Sequence, residues 1–66
     1  MRKFNIIFKQ LKKESGLSNM KLAKALGVSD STVCRWENGS DILSDDLIKI
    51  ALFFGVSAGY LLGLED

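Results

Sequence analysis

Arg35 carries the most directed chemistry in this chain. Its guanidinium is a rigid planar fork of donors, able to meet two acceptors at once, as on the O6 and N7 edge of guanine. Asp30, Ser31, Cys34 and Asn38 stand near it at spacings that bring all five toward one face of a helix. Groups for other chemistries are scarce. The 66 residues include no His and a single Cys, Cys34, so one chain assembles neither a metal-ligand cluster nor a disulfide. With no resolving Cys and no imidazole beside it, Cys34 reads as an inert thiol rather than a redox sensor. A domain of this length buries only about 60% of its unfolded surface, which is too small a core to wrap a deep substrate pocket. The expectation is a binding module and not an enzyme, with no cofactor, no metal and no small-molecule ligand.

The elements that would hold this polar face lie on either side of it. Leu22, Ala23 and Leu26 share one face of a short helix. Gly27 can take the left-handed backbone conformation that ends it, and Ser29 can cap the next helix two residues on. Val33 and Trp36 of that next helix point back toward the first. Two helices joined by a short Gly-containing turn make a helix-turn-helix, here over about residues 18–38, whose second helix fits the DNA major groove. In that setting Arg35 discriminates guanine by about 1–3 kcal/mol; its alternative is an ion pair with a neighbouring carboxylate. Asp30 serves either the positive end of the helix dipole or the N4 amine of cytosine. Trp36 and Phe53 could stack on single-stranded bases, but both fit better as apolar packing.

Along the chain, a first helix is predicted from Arg2 to Ser15, with Phe4, Ile7, Phe8 and Leu11 on its buried stripe and Gly16 as its stop. One short pattern then recurs three times, as Gly16-Leu17-Ser18, Gly27-Val28-Ser29 and Gly55-Val56-Ser57. In each, Gly ends a helix, the apolar residue is buried, and Ser caps the next helix. Pairing each residue before a cap with the fourth helical residue gives Leu17 with Leu22, Val28 with Val33, Leu43 with Ile48 and Val56 with Leu61, apolar on both sides as a hydrophobic staple requires. Asn38-Gly39 closes the third helix and residues 40–43 form a loop. Ser44 opens a fourth helix as its cap, with Asp45 and Asp46 in the first turn and a buried stripe of Leu47, Ile50, Ala51 and Phe54. A fifth, short helix runs from about Ala58 to Leu62. The fold class expected is all-α: five helices in a single domain over residues 1–66.

The ordered set Gly16-Leu17-Ser18, Leu22-Ala23, Leu26-Gly27-Val28-Ser29, Thr32-Val33, Arg35-Trp36-Glu37-Asn38-Gly39, Leu47-Ile48-Lys49-Ile50-Ala51, Val56-Ser57 and Tyr60-Leu61-Leu62-Gly63 resembles the lambda-repressor and Cro-like (XRE-type) helix-turn-helix family. The resemblance covers nearly the whole chain. It implies sequence-specific binding of a double-stranded DNA operator by a transcriptional regulator, a repressor of Cro or CI type. Ser29, Asp30, Ser31, Thr32 and Arg35 match the positions that face the bases. Ser18 and Asn19, with Lys21, match the start of the helix that lies across the sugar-phosphate backbone, and backbone N–H groups there suit an anion. Asn38 either touches the other flank of the backbone or simply ends its helix. Family members pair the acid at Glu37 with a base near the end of the first helix, here Lys12, which lacks the fork of Arg. Tyr60, Leu62 and Leu64 are candidates for a homodimer contact, or for ordinary closure of the core. Two positions depart from the family pattern: Asp41 lies in a loop without the usual base, and Gly59 replaces an acid.

The net charge of +1 conceals an asymmetry. Residues 1–24 carry seven cations against Glu14, a balance of +6, whereas residues 25–66 carry Arg35 and Lys49 against seven acids, a balance of −5. A one-sided basic face draws a molecule to a polyanion even when the total is near zero. The acidic second half suits a rival reading, a protein-interaction module such as an antitoxin or anti-repressor. Met1-Arg2-Lys3 and the apolar residues after it superficially suggest a secretory start, but Lys9, Gln10, Lys12 and Lys13 interrupt it, and no apolar run spans a bilayer. A cytoplasmic location is expected, and a lone Cys suits that reducing compartment.

Overall fold

The computed structural model describes residues 2–64, which form five helices: α1 Arg2–Ser15, α2 Asn19–Leu26, α3 Asp30–Glu37, α4 Ser44–Phe54 and α5 Ala58–Leu61. No strand occurs among the described residues, so the chain is all-α, as its sequence pattern requires. The serine caps explain most of the boundaries. Ser18 Oγ accepts from Lys21 N at 3.2 Å, Ser29 Oγ from Thr32 N at 3.2 Å and Ser57 Oγ from Tyr60 N at 3.0 Å. Each of the three is extended at φ/ψ and satisfies one of the orphan N–H groups of its helix.

The fourth cap differs from its expectation. Ser44 is the first residue of α4 rather than its cap; Leu43 takes the cap position and has no side-chain bond to offer. The staple frame moves by one residue with it. Leu43 and Ile48 are 74% and 53% exposed, whereas Ile42 and Leu47 occupy the staple positions and pack, half-buried, against the core. Burial of Ile42 decides the frame. Asp45 and Asp46 in the first turn place negative charge at the positive end of the helix dipole, which favours a helix start that has no Ser cap. At the other end of the chain α5 stops at Leu61, with Leu62 as its cap, one residue short of the expected end.

The core comprises Phe4, Phe8, Leu22, Ala23, Leu26, Val33, Trp36, Ile50, Ala51 and Leu61. Phe8 is its hub. Its ring centroid lies 5.7 Å from Phe4, 5.6 Å edge-on from Trp36 and 6.4 Å from Phe54, joining α1 to α3 and α4. Such ring pairs add about 0.5–1.5 kcal/mol each to area burial. Truncating a buried Phe costs about 3–5 kcal/mol, comparable with the whole core contribution expected of so small a domain. Ile7, Leu11, Leu47 and Phe54, the remaining members of the predicted stripes, are half-buried around this centre.

Candidate nucleic-acid interface

The turn between α2 and α3 is built from three residues with separate tasks. Gly27, at φ 74°, holds the left-handed conformation in which Val28 N reaches back to Ala23 O at 2.9 Å. Val28 packs half-buried against the core, and Ser29 caps α3. The eight residues of α3, about 12 Å long, then bury Val33 and Trp36. Burying those two turns the opposite face outward: Asp30, Ser31, Cys34, Arg35 and Asn38 are all exposed. Trp36, 3% exposed, has no face free for stacking on a base. Phe53 lies elsewhere, edge-on to Phe54 at 5.1 Å on α4.

A chain of hydroxyls organises the outward face. Ser29 Oγ lies 3.0 Å from Ser31 Oγ and 2.7 Å from Thr32 Oγ1, and Arg35 Nη2 donates to Thr32 Oγ1 at 3.2 Å. Arg35 therefore leans on a hydroxyl one turn earlier and not on a carboxylate, and it makes no ion pair among the described residues. One of its five donors is engaged, leaving the rest of the fork available. Asp30 sits exposed in the first turn, where its charge suits the helix dipole.

The candidate backbone contacts fall at two places. Ser18, Asn19 and Lys21 cluster at the start of α2, with Ser18 and Lys21 exposed and Asn19 half-buried. Asn38 is at the other end of α3, where Nδ2 donates to Cys34 O at 2.7 Å and to Cys34 Sγ at 3.3 Å. Its amide is thus spent on ending the helix. The expected partner of Glu37 is present: Lys12 Nζ lies 2.8 Å from Glu37 Oε1, both side chains largely buried. Tyr60 and Leu62 are half-buried and Leu64 is 77% exposed.

Sequence reasoning missed Asn5. It is 4% exposed, and its Nδ2 donates to Trp36 O and, at 3.1 Å, to Ser40 O. Together with the Lys12–Glu37 pair it ties α1 to the C-terminal end of α3, so two tethers set the bearing of the outward face. The one available signal was its placement: Asn5 sits between Phe4 and Phe8 on the buried stripe of α1, where an amide needs a hydrogen-bond partner.

Compared with protein-family models, residues 8–61 match the family described as helix-turn-helix. The chain belongs to this lambda-repressor-like (XRE-type) family of DNA-binding regulators. It is a regulatory family, generally without enzymatic activity. No curated protein and no solved structure matches the chain. Among the described residues no helix is long and apolar enough to cross a membrane, and no group of His, Cys, Asp and Glu could hold a metal ion.

Proposed function

We propose that this chain is a sequence-specific repressor of Cro or CI type that occupies a double-stranded operator with α3 in the major groove. Arg35 reads guanine, with Ser29, Asp30, Ser31 and Thr32 against neighbouring bases, while Ser18, Asn19 and Lys21 hold the sugar-phosphate backbone. Asn38 joins the backbone set only if its amide leaves the Cys34 carbonyl. Two copies, joined through Tyr60, Leu62 and Leu64, read half-sites about one helical turn apart, and the protein works in the cytoplasm. The observation that carries this reading is the exposed Arg35 fork, steadied by Thr32 on the face opposite buried Val33 and Trp36.

Selection of bound duplexes from a random pool tests it. A consensus with guanine at a fixed position is expected, and Arg35→Ala weakens binding to that sequence about tenfold or more. Unchanged affinity across operator variants refutes the assignment. A second reading, a protein-interaction module such as an antitoxin or anti-repressor, draws on the exposed Ile48, Leu52 and Phe53 of α4. A salt titration with random duplex separates the two, because only a DNA binder gives a log–log slope of several units.

A further inference from the structure

The last turns of α1 and the end of α3 enclose an open cleft of about 390 Å³ lined by Lys9, Lys12, Lys13, Gly16, Leu17 and Glu37. Its charges do not balance. Glu37 is the one carboxylate on its wall, and Lys12 takes it at 2.8 Å. Lys9 and Lys13 are exposed and make no ion pair or hydrogen bond among the described residues. Glu14, the other acid nearby on α1, accepts from Gln10 at 3.3 Å instead. Lys9 and Lys13 are four residues apart on the helix, a spacing at which like charges face and repel one another. The dipole of α1 accounts for Lys12 and Lys13, which lie in its last turn, but it fades before Lys9. Gly16 and Leu17 on the wall of the cleft are followed in the chain by Ser18, the cap of α2. The first turn of that helix leaves backbone N–H groups without intrahelical partners.

We propose that Lys9 and Lys13 form a second phosphate site, continuous with the start of α2, that takes phosphodiester groups of the duplex beyond those met by Ser18, Asn19 and Lys21. The site rests on the duplex-binding reading above and lengthens its footprint. Lys12 does not belong to it, because Glu37 already neutralises that charge. Contacts of this kind carry no sequence information; they set register and raise affinity for every duplex alike.

The test is the double variant Lys9→Gln, Lys13→Gln, titrated with a random duplex and with a selected operator between about 50 and 200 mM salt. Gln keeps helix propensity, and its introduction removes a repulsion, so the variant folds. Each phosphate contact contributes about 0.9 to the slope of log K against log salt, so the slope falls by about 1.8 on both duplexes. Lys49→Gln, at an exposed lysine on α4 outside the cleft, keeps the wild-type slope. A wild-type slope in the double variant, with binding retained, overturns the second site and leaves the regulator reading standing. If the unsubstituted protein binds neither duplex at low salt, both fall together.

Discussion

Replacing Asn5 by Ala removes a single amide from the protein, yet it strips two carbonyls of a partner. Trp36 O lies in the interior and Ser40 O at its edge, and Asn5 Nδ2 is the side-chain donor to both. A buried acceptor left without a partner costs about 1–3 kcal/mol, whereas a carbonyl that can turn to water loses nearer the net worth of one bond, about 0.5–1.5 kcal/mol. The sum is about 1.5–4.5 kcal/mol, and its upper end is trimmed because Ala also removes Asn5 Oδ1, a buried acceptor without a hydrogen-bond partner. What is left is still a large share of the stability that a core of this size supplies. Chemical denaturation at 25 °C reads this directly as a lower midpoint at unchanged slope. Asn5→Asp keeps the shape but turns a buried charge toward two carbonyl oxygens, and it is expected to be worse than Ala. Asn5→Ala within about 0.5 kcal/mol of wild type, the range of an ordinary surface substitution, refutes the claim that this amide holds α3.

Glu37→Ala breaks the Lys12 pair, whose side chains are only 20% and 15% exposed. Thermal melting should fall while the consensus recovered from a random duplex pool stays the same, because the pair orients α3 without facing a base. The one-residue shift of the α4 frame makes a paired prediction. Ile42→Ser costs about 1–3 kcal/mol of unfolding free energy, and Leu43→Ser stays within about 0.5 kcal/mol, since only the first leaves the core. Equal costs for the two would return the staple to Leu43.

How much of this was legible in the sequence depended on how local each decision was. The caps at Ser18, Ser29 and Ser57 and the turn at Gly27 are settled within three or four residues of chain, and each stands where the Gly-X-Ser pattern places it. The outward set on α3 follows from the same short-range rule, since burying Val33 and Trp36 leaves few ways for the remaining side chains to point. Ser44 does open α4, but the cap and staple frame lies one residue earlier, because Ser44, Asp45 and Asp46 are all competent at a helix start, and the choice among frames is made by which apolar residue of the loop finds the core. Asn5 was missed for a different reason. Its partners lie 31 and 35 residues away and are main-chain atoms, which leave no trace in side-chain pattern. The Lys12–Glu37 pair, equally remote, was legible only because the family resemblance supplied it.

The grip of Asn5 is on carbonyl oxygens, which every amino acid possesses. Ser31, Cys34 and Arg35 take no part in that anchorage; their own side-chain contacts, to Ser29, Asn38 and Thr32, stay within α3 and its two caps. Side chains on that outward face can therefore be exchanged, residue by residue, without rebuilding the mount beneath it.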